Sequence, residues 1–127
     1  MVAVSASAGK APVFPLAERL SMLRQVFADS PRIQLIPFSG LLVDLMQDQQ
    51  ISIILRGIRS SSDVEHELQL AEMNQQMHPE IETVFLKAAP QYRHISSSIV
   101  REIIKMNKEG SQGDLSSFVP QAVMDAL

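Results

Sequence analysis

The segment ISIIL, residues 51–55, constrains the fold of this chain more than any other. It is an apolar run of strand length, which predicts a strand buried on both faces of a sheet. Helix-like and strand-like segments alternate on either side of it. That order is typical of a parallel sheet with right-handed crossovers, so we predict an α/β fold with a doubly wound parallel sheet.

The predicted elements follow from apolar spacing and from residues that begin or end helices. The predicted strands are residues 2–4, 32–38, 51–55 and 82–87. The predicted helices are residues 15–28, 40–47, 63–77, 98–106 and 120–127. With 127 residues, 46% of them hydrophobic, the chain is predicted to form a single domain over residues 1–127.

Composition excludes several classes of protein. The formal net charge is −3, so the chain lacks the basic surface that duplex DNA or an anionic membrane requires. Zero cysteines exclude disulfides, thiolate nucleophiles and cysteine metal sites, and favour a cytoplasmic location. The first ten residues lack the basic start and apolar length of a signal peptide.

Polar and basic residues follow three of the predicted strands, in residues 5–13, 56–62 and 87–97. The carboxyl ends of parallel strands share one sheet edge, where ligands of such folds bind. These loops carry Lys10, the pair Arg56 and Arg59 around Gly57, and three consecutive serines ending at Ser98. Together they favour a phosphate-rich ligand. Each also has a simpler interpretation, namely an exposed lysine, two surface arginines and a helix cap.

Other chemistry is less favoured. Glu65 and Glu67 are two residues apart and do not share a helix face, so a paired-carboxylate mechanism is disfavoured. His66, His78 and His94 lack the spacing of metal ligands, and we predict no metal site in the protein. Neither common nucleotide-binding glycine motif, GxxxxGK[ST] or GxGxxG, occurs.

Three motifs together resemble phosphopantetheine adenylyltransferase, a member of the nucleotidyltransferase superfamily. They are LRGIR, the helix with ELQLAEMN, and YRHISSSIVREI. The resemblance runs over the whole chain and implies a Rossmann-like fold. It also implies transfer of the adenylyl group of ATP to 4'-phosphopantetheine, giving dephospho-coenzyme A and pyrophosphate. Mg²⁺ would be carried by the ATP phosphates, and the enzyme would be a cytoplasmic homohexamer that needs neither nucleic acid nor membrane.

The resemblance assigns roles to particular residues. It implies catalytic roles for Lys10, Arg59 and Ser97. The acceptor, 4'-phosphopantetheine, would contact Lys10, Leu42 and Arg56. The remaining contacts would be made to the nucleotide, by Gly57, Ile58, Arg59, Glu67, Tyr92, Arg93, His94, Ile95, Ser96, Ser97 and Ser98. Tyr92 stands where the family pattern usually has tryptophan.

One family segment is absent from these 127 residues. The family begins with a strand followed by a G-T-F-D-P-x-T-x-G-H segment, whose histidine and threonine bridge the ATP phosphates. We therefore expect an N-terminally truncated sheet, a doubtful hexamer, little activity and a tendency to aggregate, whether the cause is a late gene start, a true loss or deliberate shortening. Two alternatives remain: a non-catalytic remnant that binds nucleotide or coenzyme A, and a purely structural domain.

Overall fold

A computed structural model describes residues 1–6 and 12–127 of the chain. These residues form two compact units. We call Met1–Ser39 with Ile95–Leu127 the terminal unit, and Gly40–His94 the central unit. Whether both fold as the one predicted domain stays a prediction.

Four strands and five α-helices alternate along the described residues. In chain order they are β1 (Val2–Ser5), α1 (Leu16–Val26), β2 (Leu35–Phe38), α2 (Leu42–Asp48), β3 (Ile53–Ile58), α3 (Ser61–Met77), β4 (Glu82–Lys87), α4 (Ser97–Lys108) and α5 (Gln121–Met124). All of the predicted elements are present, and no end lies more than three residues from its predicted position. The bounds of β4 are those predicted.

In the terminal unit, β1 and β2 pair in parallel, with Val4 opposite Pro37. Helix α1 contacts both strands and α5. Its Arg19 donates to the backbone oxygens of Ser5, at 3.0 Å, and Phe14, at 3.2 Å. The buried apolar side chains of this unit are Val4, Leu20, Met22, Ile104 and Leu115.

In the central unit, β3 and β4 pair in parallel and α3 forms the crossover between them. Its core is a cluster of four buried side chains, Val43, Met46, Ile54 and Ile81. Val43 and Met46 belong to α2. Their spacing of three residues places both on one face of that helix. The cluster therefore joins α2 to one face of β3.

The prediction that residues 51–55 are buried on both faces is wrong. Ile54 is 8% exposed, but its neighbours Ile53 and Leu55 are 61% and 64% exposed. Successive strand side chains point to opposite faces. On the second face, Val84 and Leu86 of β4 are also 44% and 56% exposed, so no described element covers it. An apolar run predicts a strand with apolar side chains on both faces. It does not predict that another element packs against each face.

The α/β class with parallel strands is confirmed, consistent with a Rossmann-like fold. The strands form two two-stranded sheets, β1–β2 and β3–β4, where one continuous sheet was predicted. Hydrogen-bonded ladders join only these neighbours among the described residues. No helix within residues 1–6 and 12–127 is long and apolar enough to cross a membrane.

Candidate active site

Strand β3 extends further than predicted, and this places the candidate site on a rigid element. Arg56, Gly57 and Ile58 were expected in a loop, but they are the last three residues of β3. They pair in register with Phe85, Leu86 and Lys87 of β4. The ladder continues because each polar or glycine position still contributes a backbone donor and acceptor. The loop before α3 therefore contains only Arg59 and Ser60.

Arg56 is held by Glu67 through two hydrogen bonds. Its Nε donates to Oε2 and its Nη2 to Oε1, both at 2.6 Å. These bonds raise the pKa of the Arg56 guanidinium above its ordinary value. A guanidinium has five N–H donors in a planar fork. Glu67 occupies the Nε–Nη2 edge, so the Nη1–Nη2 edge is left to face a second anion.

Arg59 is held in a similar way, by a carboxylate one turn nearer the start of α3 than Glu67. Its Nε lies 3.3 Å from Oδ2 of Asp63. The same oxygen accepts from the backbone N–H groups of Arg59, at 3.2 Å, and Ser60, at 3.3 Å. These contacts, led by the Arg59 N–H, lower the pKa of Asp63. Ser60 and Asp63 also complete a capping box.

The two arginine–carboxylate pairs form one ladder between the end of β3 and the first turns of α3. Asp63 and Glu67 are four residues apart, so both side chains lie on the helix face toward the strand. Each arginine charge has an opposite charge beside it. Sequence reasoning missed Asp63 as the partner of Arg59. Two arginines three apart, followed by two carboxylates four apart, are the signal that predicts this ladder.

Gly57 lies between the two arginines with open space beside it. A Cβ built at this position would meet no other atom within 4 Å. Packing within the described residues therefore does not require a glycine here. The space is available for a ligand to approach the backbone between the two guanidinium groups.

Two other predicted acceptor-binding residues have different outcomes. Leu42 is the first residue of α2 and packs partly buried against the core cluster of the central unit. Lys10 lies outside the described residues. The role of each in binding stays a prediction.

The serine run begins α4 in the terminal unit, and its three hydroxyls are used differently. Ser96 is the N-cap, and its Oγ accepts from the Ile99 N–H at 3.2 Å. Ser98 Oγ accepts from Nη2 of Arg101 at 3.2 Å. The Ser97 hydroxyl is exposed and has no hydrogen bond to the part of the chain that the structure describes. Capping thus explains one serine and leaves two for other roles.

The rest of the predicted nucleotide-binding run precedes these serines. Tyr92 ends a short 3-10 turn, Pro90–Tyr92, and is 58% exposed. Arg93 and His94 follow it at the surface of the central unit. The predicted run therefore spans two units, with Tyr92, Arg93 and His94 in one and Ile95 to Ser98 in the other.

A protein site for Mg²⁺ does not fit the residues in view. Among the described residues, no three histidine or carboxylate side chains come together to hold a metal ion. The two carboxylates nearest the arginines, Asp63 and Glu67, already pair with them. The prediction that Mg²⁺ arrives on the ATP phosphates stays a prediction, and no step below depends on it.

Comparison with known proteins shows which family this chain belongs to. Residues 1–103 match the family described as cytidylyltransferase-like. The whole chain is 50% identical to the phosphopantetheine adenylyltransferase of Nitrosospira multiformis, covering 74% of it. It is 45% identical to those of Aromatoleum aromaticum and Thioalkalivibrio sulfidiphilus, covering 75% and 77% of them. The chain spans about three quarters of the length of these relatives.

The family match places the chain in the class of cytidylyltransferase-like proteins, which are nucleotidyltransferases. Within that class, it belongs to the phosphopantetheine adenylyltransferase family. The resemblance predicted from the RGIR and ISSS motifs is thereby confirmed. The individual site residues remain predictions.

Proposed function

We propose that this chain transfers the adenylyl group of ATP to 4'-phosphopantetheine, giving dephospho-coenzyme A and pyrophosphate. This is the penultimate step of coenzyme A synthesis. The observation that carries the proposal is the match along the entire chain to relatives named phosphopantetheine adenylyltransferase. The arginine ladder at the end of β3 supports it, because it offers two fixed guanidinium groups beside open space.

The proposed reaction is a direct displacement at phosphorus. An oxygen of the 4'-phosphate forms a bond to the α-phosphorus of ATP, and the bond from that phosphorus to the bridging oxygen of pyrophosphate breaks. Pyrophosphate leaves with the electron pair of that bond. No covalent enzyme intermediate is needed, so the protein acts by positioning the two anions and by stabilising charge in the transition state.

Arg56 is assigned to the acceptor phosphate in this proposal. Its Nη1–Nη2 edge can donate two parallel hydrogen bonds to phosphate oxygens while Glu67 keeps the other edge. Glu67, predicted to contact the nucleotide, is therefore also assigned the orientation of Arg56. This arrangement fixes the direction of the guanidinium before substrate arrives, which lowers the entropy cost of binding.

The nucleotide phosphates are assigned to Arg59, Lys10 and the serines at the start of α4. A helix N-terminus has unpaired N–H groups and a partial positive charge, both of which favour a phosphate. The exposed hydroxyl of Ser97 adds a donor there. Tyr92 would border the adenine. A cytoplasmic location and a homohexamer are further predictions from the resemblance, and light scattering of the purified chain tests the hexamer.

The test is pyrophosphate release from ATP and 4'-phosphopantetheine, run beside calorimetry with ATP and with coenzyme A. We expect ATP and coenzyme A both to bind, and pyrophosphate to be released when ATP and 4'-phosphopantetheine are both present. Binding with no turnover at all would support the non-catalytic remnant instead. Neither binding nor turnover would overturn the proposal and favour a structural domain.

Arg56→Lys provides a specific check of the site. Lysine keeps the charge but loses the planar fork, so affinity for 4'-phosphopantetheine should fall by roughly tenfold while the fold is kept. Arg32→Lys, at an exposed position before β2, is the matched control and should bind as the parent does. Equal affinity of Arg56→Lys and the parent would remove Arg56 from the acceptor site.

A further inference from the structure

Arg19 links the end of β1 to the start of α1 in the terminal unit. Its Nη1 donates to the backbone oxygen of Ser5 at 3.0 Å, and its Nε to that of Phe14 at 3.2 Å. Ser5 is the last residue of β1, and Phe14 directly precedes Pro15, the N-cap of α1. A guanidinium holds its donors in a rigid planar fork. Because both bonds come from one such group, they fix the spacing between the two carbonyls.

The Ser5 carbonyl lies on the edge of β1 that faces away from β2. Along a parallel strand, alternate residues turn their backbone groups toward the same neighbouring strand. The N–H groups of Val2 and Ala6 donate toward β2, at 2.7 Å each, so Ser5 faces the opposite edge. No strand of the described residues pairs with that edge. A side chain of α1, and not a strand, therefore meets this carbonyl.

Stabilisation of α1 by itself does not explain Arg19. It is the fourth residue of the helix, and a cation near the positive end of a helix is unfavourable. The side chain is half-buried, and within residues 1–6 and 12–127 no carboxylate pairs with it. Taking a charge partly out of water costs free energy, which its charge-assisted bonds to the two carbonyls offset. The link between β1 and α1 is therefore what Arg19 contributes.

The two linked carbonyls lie on either side of Lys10 in the sequence. Ser5 is at the carboxyl end of β1, and ligands of parallel sheets bind beyond the carboxyl ends of the strands. Lys10 itself lies outside the described residues. Fixing both ends of a short segment reduces the number of conformations open to it, and so reduces the entropy cost of placing its side chains.

We propose that Arg19 is a positioning residue, which fixes both ends of the segment containing Lys10 and thereby favours the contact of that lysine with the phosphate of 4'-phosphopantetheine. This inference rests on the proposed function and on the predicted contact between Lys10 and this acceptor. Arg19 acts through Lys10 and does not itself touch the substrate. The bonds to Ser5 and Phe14 are the means by which it acts.

A double-mutant cycle on the full chain tests this, with affinity for 4'-phosphopantetheine measured by calorimetry. Lys10→Ala should weaken binding about tenfold and Arg19→Ala about three- to tenfold, the usual scale of one charge-assisted contact. If Arg19 acts through Lys10, Arg19→Ala should weaken binding no further in a chain that already carries Lys10→Ala. Arg19→Lys keeps the charge but lacks the planar fork, so it should recover only part of the lost affinity.

Arg24→Ala is the matched control, because it removes the same type of side chain from the last turn of α1. Arg24 is exposed and has no hydrogen bond or ion pair with the described part of the chain, so its loss should leave the affinity unchanged. Far-UV circular dichroism checks that each variant folds. If Arg19→Ala does not fold, Arg19→Lys takes its place in the cycle, and an affinity equal to that of the parent would then overturn the proposal.

The outcomes separate this inference from the proposed function. If the parent binds 4'-phosphopantetheine and Arg19→Ala binds it equally well, the positioning role is overturned and the proposed function stands. Additive losses in the double variant also overturn it, since Arg19 would then meet the ligand directly or act on the fold as a whole. An unchanged affinity of Lys10→Ala overturns it as well. If the parent itself fails to bind 4'-phosphopantetheine, the acceptor site of the proposed function is wrong, and this inference fails with it.

Discussion

Glu67 holds the Arg56 guanidinium in one orientation, and removing Glu67 tests whether that orientation matters for the proposed phosphate contact. Glu67→Ala deletes the two 2.6 Å contacts but also removes a negative charge near the proposed acceptor site. The Arg56 side chain is 43% exposed, so water screens the charge effect and loss of orientation should dominate. We expect affinity for 4'-phosphopantetheine, measured by calorimetry, to fall about three- to tenfold.

Two variants make this comparison sharper. Glu67→Gln keeps one acceptor oxygen and should fall between Glu67→Ala and the parent. Glu65→Ala, at an exposed position on the same helix, should have no effect. Tighter binding by Glu67→Ala would show that the carboxylate competes with the substrate for Arg56.

Gly57 permits a second test on a single residue. A side chain placed there would fill space that is open to a ligand without disturbing the packing of the protein. The open surroundings predict that Gly57→Ala folds normally, and alanine should stabilise the strand slightly through lower unfolded-state entropy. A ligand that approaches the backbone would meet the new methyl group, so ATP affinity should fall while the unfolding midpoint is kept. Unchanged ATP affinity would mean that no ligand uses this space.

At the scale of elements, the start of α3 depends on one ionised carboxylate. The pKa of Asp63 is lowered in the folded chain, so its ionised form stabilises the fold. That stability is present above the ordinary value of about 3.9 and is lost as the pH falls through the lowered folded value. The thermal midpoint of Asp63→Asn should therefore lie below that of the parent at pH 5–7, and the gap should narrow as the pH falls below about 4.

Asp29→Asn is the control for this pH series. Asp29 is exposed and has no side-chain hydrogen bond or ion pair with the described part of the chain, so its variant should keep the thermal midpoint of the parent at pH 5–7. A gap for Asp63→Asn that persists unchanged into acid would mean that the carboxylate charge does not stabilise α3.

The exposed face of the β3–β4 ribbon predicts self-association. Its apolar residues, Ile53, Leu55, Val84 and Leu86, are 44–64% exposed, which is a hazard in a strand. Leu55→Thr keeps a residue suited to strands and reduces the apolar area, so light scattering at a given concentration should decrease. Leu127→Thr makes the same change at a 50% exposed terminal position and should not reduce it. Equal scattering by the parent and Leu55→Thr would show that this face does not cause association.

The elements themselves were largely predictable, and the exceptions have physical causes. The strand at residues 82–87 was placed correctly because charged residues bound an apolar run. Strand β3 was ended too early, because Arg56 and Gly57 disfavour a strand locally and pairing with β4 overrides that preference. The basic loops were found from composition, but the Arg59–Asp63 and Ser98–Arg101 contacts depend on side-chain directions that sequence spacing only suggests.

At the scale of the whole molecule, the two compact units raise the question of cooperativity. Val43 is 1% exposed in the core of the central unit, and Val43→Ala should lower the free energy of unfolding by about 2 kcal/mol. If residues 1–127 unfold as the predicted single domain, hydrogen exchange should quicken equally in β3 and in α1. Faster exchange confined to the central unit would contradict a single cooperative domain.

The paired arginines also affect how fast an anionic substrate can reach this protein. A ladder with matched charges projects little field beyond its own contacts, and the chain as a whole carries a net charge of −3. Long-range attraction would then contribute little to the encounter with ATP, and the overall field would oppose it. Raising the ionic strength should therefore hasten association slightly, the reverse of what an open basic groove would produce.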